Sequence, residues 1–122
     1  MKISPLTKQL FTERFLKTAI RAPSQLNLPP STMRFALEQL CRIIPQNPDI
    51  RIRPLRLAGL RAEELKPQNE STQLIFHIHG GAFFLGSMNT HRAFLTQVAA
   101  RTQMQVLHLD YPLSPEHQYP EA

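Results

Sequence analysis

The 122-residue sequence contains one cysteine, four glycines and no tryptophan. A single cysteine, Cys41, excludes an internal disulfide bond and is typical of proteins in a reducing compartment. The longest stretch without Lys, Arg, Asp or Glu, residues 71–91, is interrupted by histidines and other polar residues, so we expect no transmembrane helix. The first five residues, MKISP, lead into no extended apolar region, so we expect no secretory signal and a cytoplasmic protein.

What the sequence does contain is a globular composition, with 42% hydrophobic and 19% charged residues. Its length suffices for one small domain with a core. The net charge of +5 raises nucleic-acid binding as an alternative function, because basic surfaces bind phosphates. The basic residues are scattered and accompany no recognised binding motif, so we expect no nucleic-acid partner.

Prolines divide the N-terminal region into two predicted helices. The first begins at Ser4 as the N-cap, with Pro5 at the first helical position. The second follows Ser31 and ends before Pro45, because proline cannot continue a helix. Its apolar stripe consists of Met33, Ala36, Leu37, Leu40, Cys41 and Ile44. We interpret residues 1–48 as a helical cap region, whose apolar faces cover a site entrance or a core rather than anchor a membrane.

A β-hairpin is predicted next. Apolar residues alternate over residues 50–57, Ala58-Gly59 supplies a tight turn, and residues 60–66 return as the second strand. Pro54 lies inside the first strand and cannot donate a ladder hydrogen bond. It therefore favours an edge position or a bulge.

Residues 49–122 predict the N-terminal part of an α/β core. Residues 74–78 and 106–109 are short apolar runs typical of buried strands, and residues 89–102 between them predict a helix. The inner face of that helix is predicted to contain Phe94, Leu95, Val98 and Ala99. Strand, helix and strand form a βαβ unit, with parallel strands and a right-handed crossover. The carboxyl ends of both strands should therefore lie at the same edge of the sheet, where the functional sites of such folds are found.

The segment HIHGGAFFLG, residues 77–86, joins an apolar strand to a glycine pair and then to aromatic residues. A strand that ends in such a loop can direct backbone N–H groups at an anion, which is how an oxyanion hole is built. The alternative is a plain strand-end turn, in which the glycines only permit positive φ.

Two residue pairs allow further interpretations. His77 and His79 are two apart on a strand and could face one side to bind a metal. No carboxylate or cysteine stands at a useful spacing, so we favour a structural histidine and a loop anchor, with no metal and no cofactor. Asp110 and Glu116 could form an acid/base pair. For these we favour loop bracing and helix capping.

Two motifs resemble the hormone-sensitive-lipase-like branch of the α/β-hydrolases. The first is HGGAF at residues 79–83, followed by GS at 86–87 and THR at 90–92. The second is DYPLSPEH at residues 110–117, close to the D-Y-R-L-A-P-E-H of that family. The predicted hairpin and leading helices also look like its N-terminal region. The resemblance implies a carboxylic-ester hydrolase with a partial α/β-hydrolase fold: N-terminal cap helices, a β-hairpin and one βαβ unit of a mostly parallel sheet.

The resemblance also implies roles for the residues of the first motif. The backbone N–H groups of Gly81 and Ala82 correspond to the donors of the family's oxyanion hole. Gly80 would allow the tight turn, and His79 would anchor the loop. The implied substrate is a small ester.

This sequence departs from the family pattern at three positions. Ala82 stands where a third glycine is usual; it can still donate its N–H, but a positive φ would be costly there. Pro112 replaces an arginine, which removes a charge and with it a candidate ion pair that would brace the loop. Ser114 replaces an alanine, and we expect little effect from that change.

The Ser-Asp-His triad of the family has no counterpart here. No serine of the sequence has the flanking glycines of a G-x-S-x-G elbow. We therefore expect an N-terminal fragment, truncated before the nucleophile elbow, that is inactive alone. It should be marginally stable, associate with itself, or need a second polypeptide that supplies the remainder. The strand at residues 74–79 should then have one bare edge and promote self-association. The alternative is a non-catalytic binding or interaction protein derived from the same fold.

Overall fold

The computed structural model describes residues 27–69 and 71–122. Its elements are α1 (Pro30–Arg42), β1 (Arg51–Leu57), β2 (Leu60–Lys66), β3 (Leu74–Ile78), α2 (Met88–Thr102) and β4 (Gln105–Leu109). Residues Arg34–Ala122 form one structural unit. The helix predicted from Ser4 lies outside the described residues. The division of the chain at residue 48 into a cap and a core stays a prediction.

The four strands form one mixed sheet in the order β1-β2-β4-β3. Strand β2 pairs antiparallel with both β1 and β4, whereas β3 and β4 are parallel. The predicted hairpin is confirmed, and Ala58 and Gly59 both adopt the positive φ of a tight hairpin turn, at 50° and 84°. Pro54 lies on β1 at the edge of the sheet, as predicted, where its missing N–H breaks no ladder between two neighbours.

The predicted βαβ unit is also confirmed, and its helix packs on the sheet. The core consists of Ile50, Leu65, Leu95, Ala99 and Val106. Helix α2 begins with a capping box between Ser87 and Thr90, which satisfies backbone N–H groups at the helix start. The prediction for Phe94 was wrong, because its side chain is 62% exposed. Small residues of α2, including Ala93 and Thr96, are buried instead and allow a close approach to the sheet.

Helix α1 ends at Arg42, two residues before the end of the predicted stripe. Ile43 and Ile44 are both exposed, and none of the helix residues is buried. Cys41 is half-buried, and burial together with the nearby charge of Glu38 raises the pKa of its thiol. Among the described residues no helix combines the length and the apolar character that crossing a bilayer requires.

Among the described strands, β3 has a neighbour on one side only. It pairs with β4, and no other strand within residues 27–69 and 71–122 pairs with its second edge. Its alternate residues Leu74, Phe76 and Ile78 are 54%, 51% and 61% exposed. The predicted bare edge is therefore present in the described part of the chain, and an apolar face of the same strand lies open beside it.

Candidate functional site

The loop after β3 forms a tight turn that begins at Gly81. Its carbonyl accepts hydrogen bonds from the N–H groups of Phe84, at 3.1 Å, and Leu85, at 2.8 Å. Gly81 adopts a φ of 137°, and a Cβ atom at this position would lie 1.9 Å from the Leu85 carbonyl oxygen. The loop therefore requires glycine at this position for both conformation and space. At Gly80, by contrast, a Cβ atom would meet no atom within 4 Å.

The backbone N–H groups of Gly81 and Ala82 have no hydrogen-bond partner within residues 27–69 and 71–122. Both residues line a cleft of about 420 Å³ at the carboxyl ends of β3 and β4, together with Ile78, Leu109 and Tyr111. Backbone N–H groups that donate to no described residue and belong to the residues of an open cleft are suited to bind an oxygen atom or an anion.

The loop holds two non-glycine residues in the left-handed region. Ala82 has a φ of 52° and Phe83 a φ of 63°. Ala82 therefore adopts the positive φ that we expected to be costly. A side chain in this region destabilises the backbone by roughly 1–2 kcal/mol. Such conformations persist where the surroundings fix them from several sides.

Three backbone carbonyls of the loop are fixed by residues from elsewhere in the chain. The His79 carbonyl accepts from the Tyr111 hydroxyl at 2.8 Å. The Phe83 carbonyl accepts from the Ser114 N–H at 2.9 Å. The Phe84 carbonyl accepts from Arg34 Nε at 2.7 Å. These three bonds surround the left-handed pair and stabilise it.

The two carboxylates that follow β4 brace the site. Asp110 Oδ1 accepts from the N–H of Met88, the first residue of α2, at 2.6 Å, and Oδ2 accepts from Arg61 Nη2 at 2.5 Å. Glu116 accepts two bonds from Arg34 Nη1, at 2.9 and 3.0 Å. The predicted roles in capping and loop bracing are confirmed. The bracing cation was not predicted, because Arg34 lies 82 residues from Glu116 in sequence.

A cluster of histidines lies behind the glycine loop. The ring of His77 is 5.5 Å from that of His91 and 6.3 Å from that of His108, and the rings of His79 and His91 stack at 5.5 Å. Burial, and then the neighbouring histidines, lower the pKa values of His77 and His91. Within the described residues, no three His, Cys, Asp or Glu side chains are placed to share a metal ion.

His79 is buried between two rings of this region. It stacks on His91 and on Tyr111, and its Nδ1 lies 3.0 Å from the Gly80 carbonyl oxygen. Because a carbonyl oxygen can only accept, this contact requires a proton on Nδ1. The side chain is therefore held directly beneath the first glycine of the loop.

A buried ion pair supports the cluster from the sheet side. Glu63 of β2 accepts hydrogen bonds from Arg92 of α2 and lies 3.1 Å from His108 Nε2. Burial alone would raise the pKa of the Glu63 carboxyl, but the hydrogen bonds from His108 and Arg92 and the Arg92 charge lower it to about 2. This cluster joins three elements and was not predicted, because its members come together only through the strand pairing.

Comparison with known proteins places these features in context. Residues 75–122 match the family described as alpha/beta hydrolase fold. All 122 residues align with a protein named "Esterase" from Acinetobacter venetianus at 66% identity, and they span 40% of that protein. The chain therefore spans well under half the length of this relative.

Two solved structures extend the comparison. A hormone-sensitive lipase from a metagenome library is 28% identical, with a TM-score of 0.83; the match covers 100% of this chain and 39% of that one. An esterase/lipase from an uncultured bacterium is 32% identical, with a TM-score of 0.71, over 79% of this chain and 32% of that one. The fold described above therefore matches the corresponding part of these larger proteins.

Proposed function

Because this chain belongs to the α/β-hydrolase family, in its hormone-sensitive-lipase-like branch, we propose that it supplies the oxyanion hole of a carboxylic-ester hydrolase. The backbone N–H groups of Gly81 and Ala82 are the donors, and His79 anchors the loop. The tight turn depends on Gly81 rather than on Gly80, because only Gly81 has a positive φ and no space for a Cβ atom. One observation carries the proposal: Gly81 and Ala82, whose N–H groups donate to no other described residue, line a cleft at the carboxyl ends of two parallel strands.

The chemistry follows from where charge develops. A nucleophile adds to the carbonyl carbon of the ester, and the carbonyl oxygen gains a negative charge in the tetrahedral intermediate. Two N–H donors stabilise that oxygen, and removal of one such donor typically costs about 3 kcal/mol of transition-state stabilisation. Ile78, Leu109 and Tyr111 give the cleft of about 420 Å³ an apolar wall, which suits an ester with a small acyl or alkyl group.

The groups that start the reaction are proposed to come from outside these 122 residues. A second segment, in the same polypeptide or another one, supplies the nucleophile, the base and the acid. Support comes from β3, whose second edge is unpaired among the described strands and whose Leu74, Phe76 and Ile78 are exposed. In isolation the chain is expected to associate with itself along this edge.

A hydrolysis assay tests the proposal. We expect the isolated chain to cleave p-nitrophenyl acetate no faster than its Gly81→Pro variant, which lacks one N–H donor. We also expect turnover by a hybrid that joins residues 1–122 to the remaining part of the Acinetobacter venetianus esterase. Turnover by the isolated chain well above the variant, or a folded but inactive hybrid, would contradict the proposal.

A non-catalytic interaction protein is the second candidate, and the apolar open edge of β3 favours it. A folded hybrid that hydrolyses no ester would support this function. We further propose a cytoplasmic location, which is consistent with the single cysteine. Recovery of the native protein in a membrane or extracellular fraction would contradict that location.

A further inference from the structure

We propose that Arg34 is a positioning residue, which fixes the orientation of the Gly81 and Ala82 amides by binding two loops at once. This inference rests on the proposed function of those amides. Arg34 lies on α1, and its guanidinium donates from Nε to the Phe84 carbonyl at 2.7 Å and from Nη2 to the Ser114 carbonyl at 2.5 Å. Its Nη1 donates to both carboxylate oxygens of Glu116.

The guanidinium is suited to this arrangement. It is planar, permanently charged and presents five N–H donors in fixed directions, so one side chain can bind three acceptors at once. The acceptors lie on two loops, one after β3 and one after β4, which are far apart in sequence. The loop at residues 110–117 contains no lysine or arginine of its own, and the cation that pairs with Glu116 therefore comes from α1.

The bonds of Arg34 close a ring with one backbone bond between the loops. The Ser114 carbonyl accepts a hydrogen bond from Arg34, and the Ser114 N–H donates to the Phe83 carbonyl at 2.9 Å. The carbonyl of the next residue, Phe84, also accepts from Arg34 and so completes the ring. Two successive peptide groups of the glycine loop are thereby held against the second loop. Their orientation is set by groups from three separate parts of the chain.

This ring acts on the residues that carry the amides. Ala82 and Phe83 are held at positive φ, where each is less stable than at negative φ by roughly 1–2 kcal/mol. Without the bonds at Phe83 and Phe84, rotation to negative φ would relieve that strain and turn the Gly81–Ala82 peptide group. Arg34 therefore acts on the amides through backbone geometry, without contact with the cleft they line.

Amide NMR on the ¹⁵N-labelled chain, or on the hybrid if the chain self-associates, tests this role without any ester. In Arg34→Ala we expect the Gly81 and Ala82 amide resonances to shift and exchange of the Ser114 N–H to accelerate by about tenfold or more. Exchange of the sheet amides of β2 and β4 should change by less than about threefold, since a general loss of stability would accelerate all of them. Arg53→Ala is the matched control, because Arg53 forms an exposed ion pair with Glu64 away from the loops.

Two further variants separate the effect of the guanidinium geometry from the effect of its charge. Arg34→Lys keeps the charge but has a single nitrogen in place of the three that bind Phe84, Ser114 and Glu116, so we expect it to resemble Arg34→Ala. Glu116→Gln keeps a side-chain acceptor, so we expect the Gly81 and Ala82 resonances to stay near their original positions. The inference is overturned if the Arg34 variants leave these resonances and Ser114 exchange unchanged, or if the changes spread equally through the sheet.

The hybrid enzyme gives an independent readout. There we expect Arg34→Ala to lower kcat by about tenfold or more with KM nearly unchanged, because the amides act in the transition state. A loop that moves in the NMR experiment while kcat stays unchanged would leave Arg34 as a positioning residue and contradict the function proposed for the amides. An unchanged loop would overturn the role of Arg34 whatever the activity.

Discussion

Tyr111 stacks on His79 with ring centroids 4.4 Å apart, and its hydroxyl donates to the His79 backbone carbonyl at 2.8 Å. The two residues begin the loops that follow β4 and β3. Their contact therefore joins the two loops where they leave the sheet. Tyr111 also lines the apolar cleft together with Gly81 and Ala82.

Tyr111→Phe should separate the ring contact from the hydrogen bond. The variant keeps the stacking but leaves the His79 carbonyl without its donor, so we expect a loss of about 1 kcal/mol in the free energy of unfolding. Urea denaturation of the chain, or of the hybrid if the chain self-associates, measures it. Tyr119→Phe is the matched control, because Tyr119 is 93% exposed. Equal effects of the two variants would contradict the bond's role.

The two glycines of the turn should respond differently to alanine. Gly81→Ala forces a Cβ atom onto the Leu85 carbonyl at an unfavourable φ, and we expect a loss of roughly 3 kcal/mol or more. Gly80→Ala adds a Cβ atom to open space, and we expect a change within about 0.5 kcal/mol. The free energies of unfolding of the two variants check this pair. Similar losses at both positions would show that the turn has another conformation.

Ala82→Gly should stabilise the protein, which is the reverse of the usual effect of glycine. Glycine accepts the observed φ of 52° without a side-chain clash, so we expect a gain of about 1 kcal/mol. The same substitution at Ala100, inside α2, should destabilise by about 1 kcal/mol. Thermal or urea unfolding measures both. Destabilisation by both substitutions would contradict the left-handed conformation of Ala82.

Acid should destabilise the fold in two steps. The pKa values of His77 and His91 are lowered from an ordinary 6.5, so below that pH the unfolded chain binds protons that the folded chain does not. Their contribution to stability is present above 6.5 and is lost as the pH falls toward the lowered values. Glu63 adds a second loss as the pH falls from 4.5 toward its pKa of about 2.

Urea midpoints between about pH 8 and about pH 5 measure the first step. We expect His91→Gln to flatten this part of the profile, because it removes one of the titrating groups. His117→Gln is the control, since His117 is exposed and pairs with Glu121 outside the cluster. A wild-type midpoint that stays constant over this range would contradict the first step.

The sequence predicted the elements whose signals are local. Proline and glycine positions bound the hairpin, and the period of apolar residues distinguishes the strands of the βαβ unit from its helix. The exposure of Phe94 could not be predicted, because it depends on which face of α2 packs closest to the sheet. The end of α1 at Arg42, before the end of its apolar stripe, depends in the same way on contacts outside the helix.

The site was predicted only in part, because some of its contacts join residues that are far apart in sequence. The glycine loop is a contiguous motif and can be read directly, whereas Arg34 contributes through partners 50 to 82 residues away in sequence. The histidine cluster is an intermediate case. His77 and His79 were noticed from their spacing, but His108 joins them because parallel pairing sets it opposite His77. Contacts that depend on register and topology require the fold before they can be recognised.

The central claim is that the Gly81 and Ala82 amides bind the oxygen on which negative charge develops. A crystal structure of the hybrid enzyme after reaction with a small phosphonate ester tests it most directly, because the phosphoryl oxygen occupies the position of the oxyanion. We expect that oxygen to lie about 2.7–3.1 Å from both amide nitrogens. A phosphoryl oxygen bound elsewhere, with both amides turned away from it, would contradict the claim.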